Sequence, residues 1–152
     1  MDINKRRASK REDTQMVPLQ IEGQPGLVQV DTTWGTIQPI QINKNIGTVG
    51  EIELNEYQEK GMQIIDARIA DFYQISTIPG AKNIPHNQII ERMDELDRSQ
   101  AAILFCNGPQ CTQSPDAIRN LMKAGYPVEM LLYYRGGMHD WVTMGLPILE
   151  KP

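Results

Sequence analysis

Short apolar segments alternate with helical segments from residue 51 onward, and this alternation is the strongest constraint on the fold. Apolar, strand-like segments occupy residues 62–66, 81–85, 101–105 and 127–134. Helices are predicted for residues 51–60, for residues 88–96, between Ser114 and Gly125, and in a last short segment around Trp141. Strands that alternate with helices form right-handed parallel units. We therefore predict an α/β fold of three layers, with a mainly parallel central sheet and helices on both faces.

The carboxyl ends of the predicted strands carry polar and reactive residues. Residues 66–68, His86, Cys106 and residues 135–139 each lie at or just after the end of a predicted strand. Binding and catalytic sites of open parallel sheets form at this edge of the sheet. We therefore expect these residues to lie near one another and to form the site.

Length and charge narrow the classes of function. With 152 residues, of which 40% are hydrophobic, the chain suits one domain and an appended arm. Its 15 basic and 19 acidic residues give a net charge of -4, which argues against nucleic acid or an anionic membrane as the partner. No apolar stretch approaches the ~20 residues that span a bilayer. We expect a cytoplasmic protein that binds neither nucleic acid nor membrane.

The first 50 residues differ in composition from the rest. Residues 1–14 hold five Lys or Arg against three Asp or Glu and few apolar residues, so we predict a disordered basic tail. Residues 15–50 are rich in Gln, Gly, Pro and β-branched residues, and their prolines exclude a long helix. We predict an extended arm that packs either on the chain's own domain, residues 51–150, or on a second subunit of a homodimer.

Cys106 ends an apolar predicted strand and precedes a loop of small and polar residues, residues 107–113. Ser114, Pro115 and Asp116 then begin a helix. Backbone N–H groups and the helix dipole at such a helix start favour an anion. We therefore expect a lowered pKa and a nucleophilic thiolate at Cys106. The alternative is a buried structural cysteine.

Four segments, in order along the chain, resemble the rhodanese domain. They are its first core strand motif at residues 64–68, its I-P-G-A-x-N-I-P sequence at residues 78–85, the strand that ends in its nucleophilic cysteine at Cys106, and its closing G-G-x-x-x-W…G-L-P segment within residues 134–148. The resemblance implies sulfur transfer, in which Cys106 takes a sulfane sulfur from thiosulfate or a persulfide and passes it to a thiol, cyanide or a protein acceptor. It implies neither a metal nor an organic cofactor.

The resemblance also places the substrate-binding loop directly after Cys106, and its candidate residues are Asn107, Gly108, Gln110, Cys111 and Thr112. This loop is two residues longer than the family pattern and holds no cation, so we expect thiosulfate to be a poor donor. Arg68 is the remaining candidate partner of a substrate anion, with a structural ion pair as the alternative. Because position 112 is Thr and not Arg, the C-x5-R pattern of the phosphatase relatives is missing.

Cys111, His86 and His139 are candidates for resolving or auxiliary roles. Cys111 follows Cys106 by five residues, so it could attack a Cys106 persulfide or sulfenic acid and leave a disulfide. Alternatively, it only fills a loop position. The histidines could orient a substrate or assist proton transfer, although ordinary hydrogen bonding at the surface would explain both. The spacing of these residues is not that of a zinc site, so no metal is expected.

Three functions remain open on the sequence. The leading hypothesis is a sulfurtransferase or sulfur carrier that works through a Cys106 persulfide. The second is a catalytically silent binding module, although inactive relatives typically lose the cysteine that this chain keeps. The third is a thiol–disulfide redox protein that uses Cys106 and Cys111. An accessible Cys106 sulfur ringed by amides would favour transfer, whereas a loop closed over a buried sulfur would favour the binding module.

Overall fold

The computed structural model describes residues 19–20, 22–23, 28–29 and 37–152. The predicted basic tail, residues 1–14, lies outside the described residues. Two short strands of the arm, β1 (Leu19–Gln20) and β2 (Val28–Gln29), pair in antiparallel fashion. The rest of the fold is built from residues 37–152.

Five strands form the central sheet: β3 (Gly47–Thr48), β4 (Gln63–Asp66), β6 (Lys82–Asn83), β7 (Ala102–Phe105) and β8 (Leu131–Tyr133). Their order is β3-β8-β7-β4-β6, and every neighbouring pair is parallel. One face packs against α1 (Glu51–Glu59) and α4 (Gly137–Thr143), and the other packs against α3 (Gln113–Lys123). The predicted three-layer α/β fold is confirmed.

Alternating side chains of β7 supply the two apolar cores. Ala102 and Leu104 pack in the core on the α3 side of the sheet, and Ile103 and Phe105 pack in the core on the α1 and α4 side. All four are fully buried. A strand covered on both faces therefore appears as an unbroken apolar segment in the sequence. This packing holds the carboxyl end of β7, and with it Cys106, in the middle of the sheet.

Smaller elements complete the fold. They are α2 (Ala70–Tyr73), the antiparallel pair β5 (Ser76–Thr77) and β9 (Leu149–Glu150), and 3-10 turns at His86–Gln88, Met93–Glu95 and Val128–Met130. The last of these turns starts after Pro127, so β8 is shorter than the strand predicted for residues 127–134. β5 and β9 bring the end of the chain back beside the carboxyl end of β4.

The helix predicted for residues 88–96 is wrong. A 3-10 turn ends at Gln88 and a second spans Met93–Glu95. The N–H groups of Met93 and Leu96 bond three residues back, to the Ile90 and Met93 carbonyls. Ile89 and Leu96 are buried, whereas Ile90 is 43% exposed. Apolar residues at the spacing of a helical stripe therefore anchor the two ends of an irregular connection here.

The end of the arm belongs to the sheet. Gly47 and Thr48 pair with Leu132 and Tyr133 at the sheet edge, and Ile46 is fully buried. This strand lies upstream of the domain start predicted at residue 51. In the described part of the arm, residues 37–50 thus pack on the chain's own domain.

Candidate active site around two cysteines

Cys106 follows β7 directly and is only 1% exposed. Its Sγ lies 3.0 Å from Ser114 Oγ and accepts a hydrogen bond from the Ser114 backbone N–H, with an N-to-S distance of 3.3 Å. Ser114 is the second residue of α3, so the sulfur faces the start of that helix, as the sequence predicts. Among the described hydrogen bonds to the Cys106 sulfur, the Ser114 N–H is the one backbone amide. The described residues therefore form no ring of amides around the sulfur.

Cys111 lies beside Cys106 in the loop that joins β7 to α3, which we call the cysteine loop (residues 106–112). A turn closed by the Cys111 N–H and the Gly108 carbonyl folds the loop back on itself. The Cys106 thiol is 3.6 Å from the Cys111 carbonyl oxygen. Asn107 Nδ2 lies 3.8 Å from Cys111 Sγ. Both cysteines are free thiols, and Cys111 is the more exposed of the two.

The two sulfur atoms differ in protonation. The hydrogen bond from Cys106, together with N–H groups of Gln113 and Asn107, lowers the pKa of Cys111 to about 7. Burial, with the neighbouring Cys111, raises the pKa of Cys106 well above its usual range. The lowered pKa expected for Cys106 is therefore wrong for the reduced pair, because the sulfur at the helix start is desolvated while its neighbour collects more N–H donors.

Gly137 and the two residues after it contact the backbone of the cysteine loop. The N–H groups of the next two residues, Met138 and His139, donate to the carbonyls of Cys106 and Asn107. Gly137 itself has a φ of 58°, and a Cβ atom there would overlap the Cys106 carbonyl oxygen and lie 2.7 Å from the Gly108 nitrogen. The double glycine is visible in the sequence, but its contact with the cysteine loop is a long-range feature that sequence analysis missed.

The arm holds the outer side of the cysteine loop. The Gln38 N–H donates to the Pro109 carbonyl at 2.8 Å, and Arg135 Nε donates to the Gln38 carbonyl at 3.0 Å. Gln38 is almost completely buried in this position. Neither Gln38 nor the hydrogen bond from Arg135 to it could be found in the sequence, because no local pattern connects residues 38, 109 and 135.

Arg68 is engaged with Asp66 in the interior. Its Nε and Nη2 donate to the Asp66 carboxylate, and Nη2 also donates to the Ser76 carbonyl at 2.6 Å. Arg68 is 3% exposed, and Asp66 further accepts the Arg68 N–H and the Thr77 hydroxyl. This geometry is the structural ion pair and does not support the expected contact of Arg68 with a substrate anion.

The other candidate residues lie along the same edge. Asn107 is buried, and its Oδ1 has no hydrogen-bond partner among the described residues. Gln110 is partly buried and Thr112 is exposed just before α3. Burial lowers the pKa of His86, opposed by the charge of Asp116, and His139 Nδ1 lies 3.0 Å from Asp140 Oδ1. The auxiliary roles of both histidines stay predictions.

The fold and the cysteine loop together define an α/β protein whose site is a thiol pair at the carboxyl edge of a parallel sheet. Residues 52–144 match the rhodanese-like domain family. The chain belongs to this family, as the four sequence segments indicate. In the part of the chain that the structure describes, no group of three or more His, Cys, Asp or Glu could hold a metal ion.

Three relatives of known description are similar to this chain. An HTH-type transcriptional regulator of Mycobacterium tuberculosis is 36% identical over 64% of this chain, and a protein named as a sulfur carrier from Bacillus subtilis is 26% identical over 65%. A sulfurtransferase of Allochromatium vinosum is 30% identical over 57% of this chain and is itself covered to 77%. The chain spans only 42% and 54% of the first two relatives.

A solved structure agrees with the fold. Thiosulfate sulfurtransferase from Pseudomonas aeruginosa superposes with a TM-score of 0.62 at 24% identity, over 72% of this chain and 21% of its own. At this identity, the likeness shows the rhodanese-like architecture. Within the residues that the structure describes, no helix has the length and apolar character needed to cross a bilayer.

Proposed function

We propose that this protein is a sulfurtransferase or sulfur carrier that moves sulfane sulfur through a Cys106 persulfide to a thiophilic acceptor. Membership of the rhodanese-like family and the distant sulfurtransferase relative support the class of reaction. The observation that carries the proposal is the position of Cys106 Sγ, which faces the Ser114 N–H and hydroxyl at the start of α3 and lies 3.6 Å from the Cys111 carbonyl oxygen.

Loading begins with the proton that the two thiols share. Above a pH of about 7, the pair retains one proton, and the Cys111 thiolate can accept it from Cys106 as Cys106 attacks. Cys106 Sγ forms a bond to the outer sulfur of the donor, whose own S–S bond breaks and releases a thiolate from a small persulfide or sulfite from thiosulfate. The new persulfide is an anion, and the Ser114 N–H and the start of α3 stabilise its charge.

In the unloading step, Cys106 is the leaving group and Cys111 is the proton donor. A thiolate or cyanide attacks the outer sulfur of the persulfide, and Cys106 leaves as a thiolate that recovers its proton from Cys111. The cysteine loop offers no cation, and Arg68 is occupied by Asp66. A donor that carries a sulfonate therefore finds no charged partner there, so a small persulfide should load Cys106 faster than thiosulfate does.

The test is the mass and location of the added sulfur. Cys111→Ser protein, which keeps Cys106 alone, is incubated with glutathione persulfide or thiosulfate and measured by intact mass and peptide mapping. The pH is mildly alkaline, so that hydroxide takes the Cys106 proton that Cys111 accepts in the wild type. We expect one added sulfur atom on Cys106, removable by cyanide, and none in the variant with both cysteines replaced. Sulfide released by the wild type is measured in the same incubation. Absence of added sulfur from the wild type and the Cys111→Ser variant, together with no released sulfide, would contradict the proposal.

The binding module is a second candidate because the Cys106 sulfur is buried under a closed loop. In this case, the cysteine loop is a rigid surface element, and neither donor reaches the sulfur. Native protein would then resist both sulfur loading and alkylation at Cys106 over the whole pH range in which it stays folded. Loading of Cys106 by either donor excludes a catalytically silent module.

A further inference from the structure

The two cysteines of the cysteine loop lie side by side, an arrangement that suits an attack by Cys111 on a persulfide at Cys106. Cys111 is the more exposed of the two, and Asn107 Nδ2 lies 3.8 Å from its sulfur, whereas Cys106 is only 1% exposed. The turn at Gly108 brings the Cys111 backbone to within 3.6 Å of Cys106 Sγ. A persulfide formed on Cys106 would therefore meet Cys111 before it meets any molecule from solution.

We propose a further activity, persulfide reduction, in which Cys111 attacks the Cys106 persulfide, releases sulfide and leaves a Cys106–Cys111 disulfide. This inference rests on the proposed function, since it needs the Cys106 persulfide as its starting point. The sulfur on Cys106 then has two ways to leave: transfer to an external acceptor, or release as sulfide. The second needs only residues of the cysteine loop.

The reaction balances without a further oxidant. Cys111 Sγ bonds to Cys106 Sγ while the bond from Cys106 Sγ to the outer sulfur breaks, and the outer sulfur leaves as hydrosulfide, with the proton that Cys111 gained during loading. The sulfane sulfur gains two electrons, and the two cysteines lose two. In sum, one small persulfide and two thiols give one small thiol, one sulfide and one disulfide. A cellular thiol or dithiol reductant must then reduce the disulfide before the next cycle.

Proximity favours this internal reaction over transfer to a small acceptor. An intramolecular nucleophile in the correct position acts at an effective concentration that a dissolved thiol cannot match. A solution acceptor must also open a loop that Gln38, Met138 and His139 hold by backbone hydrogen bonds. Sulfur transfer should then prevail only with an acceptor that displaces the cysteine loop, such as a docking protein, and sulfide release should prevail without one.

The experiment follows sulfide and mass in a single turnover. Reduced, full-length protein is mixed with stoichiometric glutathione persulfide without oxygen or other thiols, and sulfide is measured beside the intact mass. We expect about one sulfide per chain and a peptide that links Cys106 to Cys111. The Cys111→Ser variant should keep the added sulfur and release sulfide at least ~100-fold more slowly, because it lacks the internal nucleophile.

The outcomes separate the two proposals. A wild type that holds its added sulfur as stably as the Cys111→Ser variant overturns persulfide reduction and leaves sulfur transfer intact. A failure of wild type and variant to take up sulfur or release sulfide refutes the proposed function itself. Sulfide release without a Cys106–Cys111 link also overturns the inference, because the sulfur then leaves by another reaction.

Discussion

Gly137 lies directly against the backbone of Cys106, so closely that a Cβ atom on Gly137 would overlap the Cys106 carbonyl oxygen. The next residue, Met138, donates its N–H to that same oxygen at 3.0 Å. The first residues of α4 therefore fix the backbone from which the Cys106 sulfur projects. The geometry of the candidate site depends here on a residue that has no side chain.

Replacement of Gly137 by alanine should both destabilise the fold and displace the cysteine loop. The positive φ alone costs roughly 1 kcal/mol with a Cβ atom, and the overlap with the backbone of Cys106 and Gly108 should raise the loss to at least about 2 kcal/mol. Gly145→Ala is the matched control, since Gly145 has a φ of 75° but open space around it. Urea unfolding compares the two variants, and equal losses would show that the contact with Cys106 is unimportant.

The buried ion pair of Asp66 and Arg68 should contribute to stability and not to donor binding. Arg68→Met leaves the Asp66 carboxylate buried without its cation, which should cost about 3–5 kcal/mol, and Asp66→Asn combined with Arg68→Met should cost less than the two single changes added together. Lys82→Ala, which removes an exposed ion pair with Glu95, should leave the unfolding midpoint nearly unchanged. A normal stability of Arg68→Met together with a specific loss of thiosulfate use would instead assign Arg68 to the donor.

Local patterns predict most of this fold because each central strand and the helix after the cysteine loop carry their own apolar pattern. The segment of residues 101–105 is apolar throughout since Ile103 and Phe105 enter one core while Leu104 enters the other. The helix predicted for residues 88–96 fails because an irregular connection can bury Ile89 and Leu96 at the same spacing. The protonation of Cys106 could not be predicted, since it depends on how closely the folded loop brings Cys111 to it. The roles of Gln38 and Gly137 depend on contacts across the whole chain.

The hydrogen bonds of Gln38 should limit access to the cysteine loop. Arg135→Met removes the donor to the Gln38 carbonyl, and we expect alkylation of the loop cysteines to become several-fold faster while stability falls by about 1 kcal/mol. Arg119→Met is the control, because the ion pair of Arg119 with Asp116 is exposed. Equal alkylation rates in the two variants would mean that Gln38 does not restrict the loop.

The two cysteines should differ sharply in the pH dependence of their alkylation. The thiolate is the reactive form, so the rate at Cys111 should rise with pH, reach half of its maximum near its pKa of about 7 and level off above it. Cys106 should react slowly throughout this range because burial raises its pKa. The phenol of nearby Tyr133 stays neutral here, since burial raises its pKa too.

Removal of Cys106 tests the cause of that low pKa. In Cys106→Ala, Cys111 loses the thiol that donates to it, and its pKa should move upward toward the ordinary value of 9.0. The pH at half-maximal alkylation should shift upward with it, and the rate at neutral pH should fall. Iodoacetamide labelling followed by peptide mass analysis measures both rates across the pH range. An unchanged midpoint in Cys106→Ala would assign the low pKa of Cys111 to the amides of Gln113 and Asn107, and Cys106 would then have no part in its ionisation.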